Sequence, residues 1–177
     1  MTEGSEKMLT TSEMRLRLEN EYHAMCAFPV NSLFTWRIAP GQTVPRVKSY
    51  IITYNIRTKV RDGGRERFQE KTTVRIDYPE DINNAPIVNI IEGKVPFVPN
   101  WWENGRLCPG NMWEKDKRLW MFVIKVGKVL AMDPAYTNPD SPANHIAASD
   151  WKDKERKHLI NKLYPCGRTD FPHPAGY

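Results

Sequence analysis

Among the side chains of this 177-residue chain, the thiol of Cys108 is best placed for covalent chemistry. A thiol with a free pKa of about 8.5 is a few per cent thiolate near neutral pH, enough to attack a carbonyl carbon. Acyl transfer also needs a donor for the oxyanion of the tetrahedral intermediate, and the amide of Asn100, eight positions earlier, can serve. Both residues lie in Pro96 to Asn111, a stretch rich in Pro, Asn, Gly and Trp with neither helical nor strand period. Long irregular loops inside compact domains are uncommon and often functional. Taken singly, each residue has a plainer use. A lone cysteine is most often a small buried hydrophobe, and a lone asparagine more often satisfies backbone groups in a turn. Cys26 fits the buried role on the apolar side of a first helix, and Cys166 reads as an incidental exposed thiol.

The flanking segments must hold that loop. Thr10 and Glu13 have the spacing of a capping box, and Met14, Leu18, Tyr22 and Met25 recur at helical spacing until Phe28-Pro29. The period then changes to two. Phe34, Trp36 and Ile38 form one strand, and Tyr50, Ile52, Tyr54 and Ile56 a second. The Asp62-Gly63-Gly64 turn leads to a third strand with Phe68, Thr72, Val74, Ile76 and Tyr78, and 86–91 forms a short fourth. After the loop, Leu119, Val123, Val126 and Leu130 make a helical stripe stopped by Asp133-Pro134. Ser141-Pro142 opens a last helix, with Ser141 as N-cap and Ile146, Ala147, Trp151, Leu159 and Leu163 facing inward until Pro165. The order of elements predicts an α+β fold, helices on one face of an antiparallel meander. Its expected division is a flexible leader over 1–10, a catalytic domain over 11–163 and a tail over 164–177.

Val98-Pro99-Asn100, Gly105-Arg106-Leu107-Cys108, Asp133-Pro134 and Asn138-Pro139-Asp140-Ser141-Pro142-Ala143-Asn144 follow one another in this order, with Ala147-Ala148 and Trp151 behind. The pattern resembles that of the ubiquitin-conjugating enzymes: a His-Pro-Asn tripeptide, a Gly-x-x-Cys with the active-site cysteine, an Asp-Pro turn, and a Ser-Pro-Ala-Asn helix start. The resemblance covers roughly residues 11 to 163 and implies a UBC-like fold with an N-terminal helix, four-stranded antiparallel meander, long active-site loop and C-terminal helices. It further implies that Cys108 accepts ubiquitin or a ubiquitin-like modifier as a thioester from an activating enzyme and passes it to an amine of a substrate protein, with or without a ligase. Asn100 takes the place of the family asparagine that orders the loop and stabilises the oxyanion. Asp140 and Ser141 match the gate bordering the cysteine.

Val98 stands where the family has its structural histidine, so the loop must be held differently here. Pro109 follows the cysteine in place of an apolar residue, and one clear helix follows Ser141 where many relatives have two. These departures resemble a divergent branch, of a kind that prokaryotic ubiquitin-like conjugation systems contain. A relative that binds modifiers without transferring them is the rival reading, and Cys108 argues against it.

Composition narrows the rest. With 40% hydrophobic and 27% charged residues the chain is neither disordered nor a coiled coil. Three scattered cysteines build no disulfide scaffold or zinc site, and the 13-residue separation of His145 and His158 suits no metal pair, with His23 apart on the first helix, so no metal or cofactor is expected. The polar, acidic start and the absence of a long apolar run predict a cytoplasmic protein without a membrane partner. Eight basic residues against three acidic ones between 46 and 71 read as a solvated hairpin face rather than a nucleic-acid site. Arg15 and Arg17 read as an exposed helix flank that could meet an activating enzyme. Trp101 and Trp102, adjacent, can pack in opposite directions. A cysteine hydrolase pairing Cys108 with His145 has no motif beyond single residues.

Overall fold

The computed structural model describes residues 10–30, 32–81 and 84–157. The expected leader up to residue 9, the tail over 164–177, Leu159, Leu163, Pro165, His158 and Cys166 lie outside the described residues. Helix α1 runs Thr11–Ala27, and its capping box is formed: Thr10 Oγ1 accepts from the Glu13 amide while Glu13 accepts from the Thr10 amide. Its buried face carries Leu18, Ala24 and Met25, but also Glu21, which is fully buried. Cys26 is exposed, contrary to the expected burial: at about 100° per residue it turns away from the stripe marked by Met25. Arg17 is not a free flank either, since its guanidinium pairs with Glu21 at 3.0 Å and donates to the Lys117 carbonyl at 2.7 Å.

Strands β1 (Phe34–Ile38), β2 (Ser49–Tyr54), β5 (Thr72–Asp77) and β6 (Ile87–Glu92) form one antiparallel sheet in the order β1-β2-β5-β6. Alternation decides its faces. Phe34, Tyr50, Ile52, Tyr54, Val74, Ile76 and Val88 point into the core, while Thr35, Arg37 and Arg75 are exposed on the opposite face. The meander is interrupted. The Asp62-Gly63-Gly64 turn does not lead into the third sheet strand; it closes a separate hairpin of β3 (Thr58–Asp62) and β4 (Arg65–Gln69) inserted between β2 and β5. Gly63 and Gly64, at φ +55° and +80°, make this tight reversal without strain. Phe68 therefore belongs to the hairpin, exposed, with Arg57 stacked 4.3 Å above its ring.

Helix α2 (Leu119–Leu130) is apolar nearly all round and fills the core against the sheet, as the stripe predicted. The Tyr54 hydroxyl donates to its Val123 carbonyl at 2.8 Å. At its N-terminus the buried Glu21 carboxylate accepts the Leu119 amide at 2.7 Å, a cap supplied from another helix. Helix α3 (His145–Arg156) starts three residues later than expected. Its N-cap is Asn144, whose side chain accepts from the Ala147 amide, and not Ser141. Ser141 is detained in a turn around Asn138, whose Oδ1 accepts the amides of Asp140 and Ser141 at 3.2 Å each. Ile146, at the new start of the helix, is exposed rather than inward, while Ala147 and Trp151 are buried. Among the described residues no helix is long and apolar enough to cross a membrane.

Candidate active site

The stretch after β6 is irregular in period but tightly bonded. Gly105 at φ +83° reverses the chain, so that the Trp102 amide reaches the Arg106 carbonyl at 2.8 Å and the Gly105 amide reaches Trp102 at 3.0 Å. The returning limb runs along the sheet edge: Ile90 donates to Gly105 and Leu107 donates to Val88, both at 2.9 Å. The loop thus covers the edge of β6 and brings Cys108 out at its end. The two tryptophans diverge as expected. Trp101 is fully buried under the loop and Trp102 is 44% exposed.

Cys108 is half-buried, and its amide donates to the Asn100 carbonyl at 2.8 Å. Eight positions of chain therefore close onto a single backbone bond. The thiol residue lines a cleft of about 400 Å³ together with Asn100, Asn138, Asp140, Ser141 and Lys125. All four residues expected to act together meet in this one cleft.

Their individual states differ. The Asn100 side chain is buried and occupied: its Nδ2 donates to the Tyr136 carbonyl at 3.3 Å, and its Oδ1 accepts the Asn138 amide at 3.2 Å. It braces the cysteine loop against the segment that follows α2. The Asp140 carboxylate is 85% exposed at the cleft mouth and pairs with Lys152 of α3 at 2.8 Å. Ser141 is exposed beside it. The Val98 side chain is packed wholly in the core and can make no polar contact where the resembling family has histidine. The next carbonyl does the holding instead, since Pro99 accepts from both Ala143 and Asn144, at 2.8 and 3.1 Å. Arg106, although two positions before the thiol, is exposed on the sheet-edge limb.

Lys125 was the residue not anticipated. Its ammonium reaches the Met112 carbonyl at 2.9 Å and Glu114 at 2.7 Å, lashing the segment after Cys108 onto α2. The signal was present in the sequence, a lysine breaking the most apolar run of the chain, where burial of a charge demands partners. His145 lines a separate cleft with Trp102 and Ile146 and is not among the residues lining the Cys108 cleft, which removes the support for a hydrolase pair.

A helix, a four-stranded antiparallel sheet, an irregular loop along its edge and two following helices give the chain a fold shared with solved structures described as ubiquitin-conjugating enzymes. Among solved structures, a Plasmodium yoelii protein assigned as a ubiquitin-conjugating enzyme superposes with a TM-score of 0.54 at 18% identity, over 94% of this chain and all of the other. A second, described as a novel ubiquitin-conjugating enzyme, gives 0.53 at 16% identity over 85% of this chain and 91% of its own. No protein-family model and no curated protein matches the sequence. At such identities the likeness is one of fold.

Proposed function

We propose that the chain is an acyl carrier of the ubiquitin-conjugating type, with Cys108 as the nucleophile. The observation that carries this reading is the half-buried Cys108 at the head of a cleft shared with Asn100, Asp140 and Ser141, on a fold built for that chemistry elsewhere. In the first step the Cys108 sulfur attacks the thioester that joins a modifier's C-terminal carbonyl to a cysteine of an activating enzyme. A new S–C bond forms, the old one breaks, and the enzyme's cysteine leaves as thiolate. In the second step an amine attacks the same carbonyl, Cys108 departs as thiolate, and the amine gives up a proton. Ubiquitin or a ubiquitin-like modifier, the activating enzyme and an amine-bearing substrate are the partners, with or without a ligase, and the setting is the cytoplasm.

Asn100 is assigned first to ordering the loop, because both ends of its amide are bonded to 136–138. One Nδ2 proton remains for an oxyanion forming above Cys108. Asp140 and Ser141 are assigned to the approach of the amine, which must be desolvated and neutral to attack. Incubation with an activating enzyme, modifier and ATP is expected to give an adduct that thiol reductants cleave and that Cys108→Ala abolishes. Retention of the adduct in that variant sinks the assignment. The engagement of Asn100 in structural bonds favours one second reading, a non-catalytic modifier-binding scaffold of the same fold. That reading predicts modifier binding with no charging of the wild-type chain.

A further inference from the structure

An isolated two-stranded hairpin is marginally stable, so the β3–β4 insertion must be held by what it touches. Its anchor is Lys59, a lysine only 1% exposed. The Lys59 ammonium meets Asp150 of α3 at 2.6 Å and Glu66 of the hairpin at 2.8 Å, and lies 4.9 Å from the centre of the Phe97 ring. Lys154 closes the network, reaching Glu66 at 3.0 Å and Asp150 at 2.9 Å. Burying an ammonium is costly, and replacing a whole buried ion pair with apolar side chains of similar volume is often neutral in stability, whereas removing one partner alone is not. What the ion pair adds is direction.

That direction leads to the cysteine loop. The Lys59 carbonyl accepts the Phe97 amide at 2.8 Å, and Val60 bridges to Pro96. Two residues further on, the Pro99 carbonyl is gripped by the first residues before α3, the helix that carries Asp150. Lys59 thus joins the hairpin, the entry to the loop and α3 at one point. Between the two grips the Val98 side chain contributes only packing, while its carbonyl accepts the Trp101 amide at 3.1 Å.

We infer that Lys59 is a positioning residue for the Asn100–Cys108 loop, fixing segment 96–100 against α3 through the pair of its buried ammonium with the partly exposed Asp150 and its backbone bond to Phe97. The inference bears on transfer only through the reading of Cys108 as the acyl-carrying residue. Lys59 touches neither the thiol cleft nor any residue expected to meet the modifier.

The test compares the wild-type chain with Lys59→Met, Asp150→Asn and Lys59→Arg. In Lys59→Met the amides of Phe97, Trp101 and Cys108 are expected to exchange with solvent about tenfold faster or more, while β2 and β5 amides change by less than about twofold. Iodoacetamide should alkylate the half-buried Cys108 about threefold faster as the loop opens. Lys59→Arg, which keeps the charge and can fork to both carboxylates, should restore most of the protection. In the charged protein, kcat for transfer to free lysine should fall about tenfold with KM for the amine unchanged. Asp150→Asn, a milder change, should reproduce the exchange pattern and carries the test if Lys59→Met does not fold. Uniform acceleration of all amides, or none in the loop, overturns the proposal. Exchange and alkylation use the chain alone, so they decide the positioning role separately from whether Cys108 is ever charged.

Discussion

The sheet interior and the cysteine loop are held by different forces. Between β1-β2-β5-β6 and α2, stability comes from area: stacked rings such as Phe28, Phe34 and Trp120, with centroids 5.0 to 5.5 Å apart, under an antiparallel ladder interrupted by a register shift at Thr73/Val74. The loop over 96–108 has no ladder of its own. Apart from its buried Val98, Trp101 and Leu107, it is fixed by single bonds to β6, to 136–138, to the start of α3 and to the hairpin. The core can lose one contact and remain a core, whereas the loop depends on a few directional bonds from segments distant in sequence. Stability and reactivity should therefore respond to different substitutions.

The largest effect is expected at the bulkiest loop side chain that also belongs to the core. Trp101→Ala removes a fully buried indole beneath the loop and should cost about 3 to 5 kcal/mol, read as a fall in the urea midpoint. If this variant unfolds with wild-type stability, the loop is not part of the core and the contrast collapses. Next comes Glu21→Gln, which breaks the buried pair with Arg17 while leaving an acceptor for the Leu119 amide; about 3 kcal/mol should be lost. Thiol alkylation at Cys108 should be unchanged, because Glu21 belongs to the core side.

Asn100→Ala sharpens the contrast from the other side. Stability should fall by only about 1 to 2 kcal/mol from the lost bonds to Tyr136 and Asn138. Transfer of the modifier should fall about a hundredfold. A variant losing both in the same proportion would make Asn100 a purely structural residue.

A pH effect is expected on the hairpin network. Burial acts to raise the Asp150 carboxyl, but hydrogen bonds from Lys59 and Lys154 outweigh it and hold the group below its ordinary value. A carboxyl depressed in the folded state contributes stability that is complete above the unfolded pKa of about 3.9 and is lost as pH falls through the folded value. Unfolding midpoints should thus decline below about pH 4, with a shallower decline in Asp150→Asn. The smallest effect belongs to Lys152→Ala, which frees the exposed Asp140: about 0 to 1 kcal/mol in stability, as for most surface pairs.

The same contrast explains what could be read from residue order. The Thr10 and Glu13 cap, the alternation of Phe34 to Ile38 and the apolar run of α2 are local, and period and spacing reveal them. The Cys108, Asn100, Asp140 and Ser141 grouping came from a resemblance of motifs, and the cleft unites those residues. What escaped depended on remote partners. Asp62-Gly63-Gly64 signals a turn but not which strands it joins, so the inserted hairpin reads as part of the meander in sequence alone. Ser141-Pro142 has the chemistry of a helix start, yet the Pro99 carbonyl and Asn138 side chain hold the chain until Asn144. Lys59 reads as one more basic residue of a solvated face, because Asp150 lies 91 positions away. Nothing in sequence spacing could reveal that it is buried.

An acyl group carried by this chain should reside on the Cys108 sulfur. After reaction of the native chain with activating enzyme, modifier and ATP, non-reducing digestion and mass spectrometry should find the modifier's C-terminal residues linked to the peptide containing Cys108, and reductant should release them. Linkage at Cys26 or Cys166, or an adduct that survives reductant on a lysine of a chain lacking the Cys108 thiol, would contradict it.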